Sequence, residues 1–434
     1  MRSALTVAAG RTARHLARLR GGGRGGSAFP GLVVERIDPG FLARTLEALP
    51  LGVVVVSGTN GKTTTTKILV DLLRSQGLKV LTNPTGSNFV RGVAAALLTE
   101  VDARGRLDAD VAVLELDEAH AVHFVKQVPP RASLLLNVMR DQLDRFGEID
   151  HTARLLHQVA SATTDLVVVN ADDPRLSAST FIGDLSASVA GFGIGEGLRE
   201  TFRSDDDLRT QGPLGARLAA PGAVTATTRL EGYSGRSVRI SHEGTQLALD
   251  LTLPGVHNLL NATGALALAA GLLGADADLD AMKESLGRVR AAFGRGEVID
   301  AGGVPLELAL VKNPAGFRMS LLSAGDEPTT TMIAINDEYA DGRDMSWLWD
   351  VDFAALRTSG VAVVSGVRAG DMALRLLYDD VSVGEVEPSL DRAVEVLLAT
   401  AEEQGRPMRI FCTYTAMLAV RSILSRSFEV EDVL

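Results

Sequence analysis

The stretch Val53-Val54-Val55-Val56-Ser57-Gly58-Thr59-Asn60-Gly61-Lys62-Thr63-Thr64 decides how the rest of the chain is read. The apolar run Val53–Ser57 predicts a strand buried on both faces, and Thr63–Ser75 carries helical spacing through Ile68, Leu69, Leu72 and Leu73. Between them, glycines let backbone N–H groups approach phosphate oxygens, and the helix N-terminus adds a favourable dipole. Lys62 is placed to reach the β- and γ-phosphates of a nucleotide, and the Thr63 hydroxyl to ligate magnesium. The segment Gly58, Thr59, Asn60, Gly61, Lys62, Thr63, Thr64 therefore predicts ATP as ligand, with Mg²⁺. The eight-residue phosphate-loop pattern asks for glycine at 56, where this chain has Val56.

Outward from this loop the pattern alternates strand and helix. Val111–Glu115, Ser133–Asn137 and Leu166–Asn170 are short apolar runs, which predict further strands of a parallel sheet. From about 180 to 255 the texture becomes Thr- and Gly-rich, with a hairpin signal at His242-Glu243-Gly244, and predicts a β-rich part of the same domain. Helices are expected at Asn258–Leu273 and Leu279–Leu286. A second alternation follows Gly294-Arg295-Gly296-Glu297, with strands expected at Pro305–Val311, Thr331–Ile335, Val361–Ser365 and Met408–Tyr414. The expected division is 1–45 for an N-terminal helix and lead-in, 46–297 for the nucleotide-binding domain, and 298–434 for a C-terminal Rossmann-like α/β domain.

The 434 residues suit about two or three domains. Only 4% are aromatic, so the cores must rest on Ala, Val and Leu. A net charge of −11 argues against a nucleic-acid partner. The basic stretch Arg11–Arg20 reads as a targeting peptide, a membrane-surface helix or, preferably, a helix of the first domain; residues 21–31 read as a flexible lead-in. No run of about 18 apolar residues is present to span a bilayer. The one cysteine, Cys412, excludes an internal disulfide and a multi-cysteine metal site, in keeping with a reducing, cytoplasmic setting. Its apolar context, Arg409-Ile410-Phe411-Cys412-Thr413-Tyr414, reads as a buried strand and not a nucleophile elbow. Glu115, ending its strand, is either a magnesium ligand or a solvated acid, and the phosphate loop favours the ligand.

The variant Gly58-Thr59-Asn60-Gly61-Lys62-Thr63-Thr64 resembles the loop of the Mur ligases and their folylpolyglutamate synthetase relatives. Asn137 to Glu148 resembles the segment after the next strand, with Gln142 where most Mur ligases have histidine, as in the MurT subfamily. Asn170-Ala171-Asp172-Asp173-Pro174 and His257-Asn258-Leu259-Leu260-Asn261 are similar to the places where the superfamily holds its nucleotide, so Asn170, Asp172, Asn258 and Asn261 are implied cofactor contacts. Each taken alone is an ordinary loop or helix N-cap. Lys312-Asn313-Pro314-Ala315-Gly316, Asn336-Asp337, Ala340 to Asp350 and Thr413 to Met417 resemble the MurT subfamily, and the likeness covers nearly the whole chain apart from about 175–250.

The resemblance implies a Mur-ligase-like fold and an ATP-dependent amide synthesis on the D-glutamate of lipid II, a peptidoglycan precursor. It puts Lys62, Arg295 and Lys312 with magnesium around the transferring phosphoryl group. It also implies a GatD-like glutaminase as partner in a heterodimer, with Asp344 completing the partner's Cys-His pair, and work at the inner membrane face. As a cap or loop ion pair, Asp344 would instead be structural.

The chain departs from many members of the subfamily in lacking the four cysteines of their zinc ribbon, so no zinc site is expected. The carbamylated lysine of several Mur ligases is also excluded, because no lysine lies between Lys126 and Lys283. Two other readings stay open. One is a stand-alone ligase that adds an amino acid. The other is a nucleotide-binding scaffold without catalysis.

Overall fold

The computed structural model describes residues 2–20, 28–83, 89–139, 149–199, 201–202, 223–253, 255–290, 295–322 and 328–430. The chain forms two compact units. The first comprises Met1–Val138, Asp150–Thr252 and Asn258–Val289, and the second Met139–Ile149, Leu253–His257 and Arg290–Leu434.

The first unit is built on nine strands: β1 (Val53–Ser57), β2 (Val80–Thr82), β3 (Val111–Glu115), β4 (Ala132–Leu135), β5 (Leu166–Asn170), β6 (Ser188–Ile194), β7 (Ala226–Ser234), β8 (Ser237–His242) and β9 (Thr245–Asp250). Their order is β2-β3-β1-β4-β5-β6-β7-β8-β9. Strands β2 to β7 run parallel, and β7, β8 and β9 form an antiparallel meander. The β-rich stretch foreseen near 180–255 thus continues the parallel sheet. Every residue of β1 and β3 is buried, because helices cover both faces of a parallel sheet. The hairpin signal at 242–244 is the β8–β9 turn, where Glu243 (φ 47°) and Gly244 (φ 87°) take the positive φ pair of a type I′ turn.

Helix Arg2–Arg20 belongs to the first unit, with Val7 and Ala13 buried. Arg11 donates to the Leu98 and Val101 carbonyls (3.2 and 2.6 Å), at the C-terminal end of helix Val90–Glu100. A cation is favoured there because the last carbonyls of a helix lack internal partners. The expectation about apolar length needs correction: Val256–Asp276 is long and apolar enough to cross a bilayer, with 72% of its apolar window buried in the molecule. Its apolar character serves the core, where Gly264 meets the Phe192 ring of β6.

The second unit carries β10 (Arg295–Asp300), β11 (Pro305–Leu310), β12 (Thr330–Ala334), β13 (Val361–Ser365), β14 (Val383–Val386) and β15 (Met408–Cys412), in the order β10-β11-β15-β12-β13-β14. Only the β10–β11 pair is antiparallel. One face of this sheet packs on Phe317, Trp347, Phe353, Met372 and Leu376, the other on Ala393, Val394, Leu397, Met417 and Val420. Outside every expected strand and the β-rich stretch lie β2, β10 and β14, and within that stretch β6 has no strand signal of its own. β2 is three residues long, β6 and β10 contain glycine and a register shift, and β14 is an exposed edge. Strands expected to run to Asn137, Ile335 and Tyr414 end earlier, since the chain turns out of the sheet to build the loops described next.

Candidate active site

The chain leaves β1 toward β2 and leaves its neighbour β4 the opposite way, toward β5, so a crevice opens at the carboxyl ends of these two strands. The loop Gly58–Gly61 occupies that crevice. Gly58 (φ 133°) and Gly61 (φ 87°) take backbone conformations closed to residues with a Cβ. Asn137, just past β4, shapes the loop: its Oδ1 accepts from the Asn60 amide (2.9 Å), its Nδ2 donates to the Asn60 carbonyl (3.1 Å), and its own carbonyl accepts from the Thr59 amide (3.1 Å). Helix Lys62–Ser75 then starts with Gly61 as N-cap and no side-chain cap, so its first-turn amides suit an external anion.

The first two helical side chains reach the ends of neighbouring elements. Lys62 Nζ, buried, donates to the carbonyls of Gly58 (2.6 Å) and Thr59 (3.3 Å) and pairs with Glu118 Oε2 at 3.2 Å. Thr63 Oγ1 donates to Glu115 Oε1 at 2.9 Å. Glu115 is aimed by Asn83, whose amide bonds both its N–H and its carbonyl at 2.9 Å. A hydroxyl and a carboxylate oxygen are the donor types that magnesium takes, so Thr63 and Glu115 fit that ion. Buried Glu118 pairs with the Lys62 ammonium and buried Glu115 bonds Thr63, so two carboxylates against one cation disfavour a bare polyphosphate and suit one that arrives with a divalent cation.

Asn261 stands directly over the loop: a Cβ built on Gly61 would come within 2.4 Å of its Oδ1. Asn258 lies behind it, accepting from Asn261 Nδ2 at 3.1 Å. A Gly61→Ala chain therefore combines an unfavourable φ with a clash. It is expected to lose about 1–3 kcal/mol of stability in denaturant titrations and to bind nucleotide more weakly.

Asn170 and Asp172 sit at the carboxyl end of β5, two strands from β1. Asn170 Oδ1 accepts from the Asp172 amide (3.0 Å), and Asp172 Oδ2 from the Ile194 amide (2.8 Å), so both shape the passage from β5 to β6. Asp173 next to them carried no expectation. It accepts from the amides of Val138 (2.6 Å), Arg175 (2.9 Å) and Leu176 (3.1 Å), tying the β5 loop to the segment after β4. Burial raises its pKa from 3.8 to about 6 against the pull of those amides. A folded-state pKa above the unfolded value means that stability falls as pH rises through this window. The stability of Asp173→Asn relative to wild type should rise by about 2–3 kcal/mol between pH 4 and 6.5, measured by urea unfolding at each pH.

The remaining expected residues lie in the second unit. Arg295 begins β10, and its side chain lies outside the described residues, as does Gln142. Lys312 follows β11, half-buried beside the buried Asn313, whose Oδ1 accepts from the Gly316 amide at 2.8 Å. Asp344 is half-buried and accepts from the Ser346 amide (2.9 Å), capping the short 3-10 helix Ser346–Asp350. Asp341, buried, accepts from the amides of Glu338 (3.1 Å) and Thr415 (2.7 Å), while Asn336 receives Thr413 and donates to Thr415 (3.1 Å). These bonds tie the carboxyl ends of β12 and β15. Cys412 is fully buried in β15, and burial pushes its thiol pKa up, with nearby Asp341 adding to the shift. The thiol is a core group.

The residues that sequence reasoning passed over are Asn83, Glu118, Asn137 and Asp173. Glu118 lies three positions after Glu115 and opens helix Glu118–Val125, the one signal that singled it out.

The MurT ligase C-terminal family matches residues 310–417, and the Mur ligase middle domain matches residues 56–269. The MurT subunit of lipid II isoglutaminyl synthase (glutamine-hydrolyzing) from Streptococcus pneumoniae is 31% identical over 98% of this chain and 97% of its own length. The chain belongs to the MurT family. The family's counterpart from Staphylococcus aureus is 27% identical over 96% of this chain and 98% of its own. In fold, this MurT-family chain is similar to the Thermotoga maritima MurF ligase in complex with ADP, with TM-score 0.68, 17% identity and coverage of 92% and 84%. It is similar too to Mycobacterium tuberculosis folylpolyglutamate synthase complexed with ADP and AMPPCP, with TM-score 0.63, 17% identity and coverage of 98% and 100%. The α/β architecture with Mur ligase middle and C-terminal domains agrees with the sequence expectation.

Proposed function

We propose that this chain is the synthetase subunit of a glutamine-hydrolysing lipid II isoglutaminyl synthase, which converts the D-glutamate α-carboxylate of the precursor to a carboxamide. The observation that carries the reading is the buried set Lys62, Thr63, Glu115 and Glu118 at the carboxyl end of β1, in a chain similar to MurT subunits along its whole length. The ATP ligand and the magnesium ion are part of the proposal. The loop amides and Lys62 would hold the phosphates, and Thr63 and Glu115 the metal, which would supply charge neutralisation at the phosphates.

The reaction then balances as two displacements. A carboxylate oxygen of the substrate forms a bond to the γ-phosphorus as ADP leaves, giving an acyl phosphate. Ammonia nitrogen next attacks the acyl carbon, phosphate leaves, and the nitrogen loses a proton. Lys62 draws charge from the transferring group, and the same role is proposed for Arg295 and Lys312. Because Cys412 is buried with a raised thiol pKa, it is unsuited to glutamine hydrolysis. The ammonia source is then a separate glutaminase subunit, whose histidine Asp344 would orient. The complex is proposed to act at the cytoplasmic membrane face, where lipid II is presented.

The test supplies purified chain with ATP, magnesium and lipid II, adding either ammonium salt or glutamine with the glutaminase subunit. Carboxamide formation from ammonium by the chain alone, and from glutamine only with the partner, is the expected result. Incorporation of an amino acid with none of ammonia would overturn it in favour of a stand-alone ligase.

A further inference from the structure

Two segments 74 residues apart cap each other at the carboxyl ends of β12 and β15. Helix Tyr414–Leu424 has Thr413 as its N-cap, yet the Thr413 hydroxyl makes no bond to its own first turn. It accepts from the Asn336 amide at 2.9 Å instead. The first-turn donor this leaves over, the Thr415 amide, is taken by Asp341 Oδ1 at 2.7 Å. Asp341 Oδ2 accepts from the Thr415 hydroxyl and from the Glu338 amide, the latter at 3.1 Å. A carboxylate is favoured there because the first N–H groups of a helix lack internal partners and carry partial positive charge.

Asp341 is 3% exposed, although Tyr339, two positions earlier, is 83% exposed. The loop therefore dips into the molecule at one carboxylate. Gly342 follows with φ 84°, a conformation that favours glycine, and reverses the chain. Met345 then returns it to the core beside Trp347 and Leu348. Gly342, Arg343 and Asp344 form a three-residue span between two buried anchors. Apolar packing holds one end of that span, and the Asp341 carboxylate holds the other.

From these observations we infer that Asp341 is a positioning residue for Asp344: by capping helix Tyr414–Leu424 it fixes the span that presents the Asp344 carboxylate. The inference rests on the proposed function, in which Asp344 orients the histidine of the glutaminase subunit. Asp341 acts through Asp344, since its own carboxylate is buried against Thr415 and Glu338. Each residue of chain reaches about 3.3–3.6 Å, so releasing one anchor of a three-residue span displaces Asp344 by several ångströms. A misplacement of about 1 Å costs about 10²-fold in rate.

The experiment uses the full-length chain and the glutaminase subunit that copurifies with it, recognised by glutamine hydrolysis. Asp341→Ala, Thr415→Val, Asp344→Asn and the double variant Asp341→Ala/Asp344→Asn are compared by glutamine hydrolysis across pH and by amidation driven by glutamine or by ammonium. Thr415→Val removes the hydroxyl donor and keeps the main-chain bond, so the inference stays testable if Asp341→Ala does not fold. The expected result is a kcat for glutamine hydrolysis lowered about 10- to 100-fold by Asp341→Ala and about 3- to 10-fold by Thr415→Val. The KM for glutamine and the ammonium-driven rate should stay within about two-fold of wild type. The limb of the pH profile that reports the partner's histidine should move to lower pH, because a loosened Asp344 stabilises the imidazolium less. The double variant should be no slower than Asp344→Asn alone.

A purely structural cap predicts equal losses with both nitrogen sources and an unmoved limb, and that outcome would overturn the inference. If Asp344→Asn abolishes glutamine-driven amidation while Asp341→Ala and Thr415→Val retain it, the inference fails and the proposed function stands. Full glutamine-driven amidation by Asp344→Asn removes the proposed role of Asp344 and this inference with it.

Discussion

Lys62→Ala should lower ATP-dependent turnover by about 10²–10³-fold or more and, separately, destabilise the first unit. The first effect follows from removing the cation at the end of the phosphate loop, where charge on the transferring phosphoryl group develops. The second follows from Glu118, whose side chain is 3% exposed and whose ammonium partner would be gone. Truncating one member of a buried pair costs about 3–5 kcal/mol, mostly through the charge left behind. The two effects separate in a double variant. Adding Glu118→Gln to Lys62→Ala should restore most of the lost denaturation midpoint and none of the turnover. If Lys62→Ala retained full turnover, the nucleotide reading of the loop would fail.

Asp344→Asn is expected to leave ammonium-driven amidation near wild type and to lower glutamine-driven amidation by about 10⁴-fold, the size of effect seen when the carboxylate that orients a catalytic histidine becomes an amide. The asparagine oxygen can still accept from the Ser346 amide, so the cap on the 3-10 helix survives. Asp344→Ala should lose the same activity and, in addition, about 1 kcal/mol of stability. Equal losses with both nitrogen sources would instead place Asp344 at the synthetase reaction. A loss of stability with no change in either activity would leave it as a cap.

The bounds of β1, β3, β5 and β13 follow from the residues alone, because each is a short, continuous apolar run that only a doubly covered strand buries. Glu243-Gly244 shows the same directness, since few residue pairs accept two successive positive φ values. The edge strand β14 lacks such a signal, for its Gly384 and Glu385 pack against little. At the site, Lys62 and Thr63 were legible through a local motif. Asn83 and Asn137 were not, since an asparagine's partners 32 or 77 residues away leave no local pattern.

By itself the sequence determined the phosphate loop, the alternation that makes two α/β units, and the exclusion of a disulfide and a multi-cysteine metal site by a lone Cys412. These are consequences of period, composition and short spacing. Only the tertiary structure decided that Glu118 pairs with Lys62, that Asp173 is buried with a raised pKa, and that Arg11 caps a helix. The same holds for the helix cap that Asp341 supplies from 74 residues away. Each depends on which distant segment the parallel sheet brings alongside, and that pairing is set by burial summed over the whole unit.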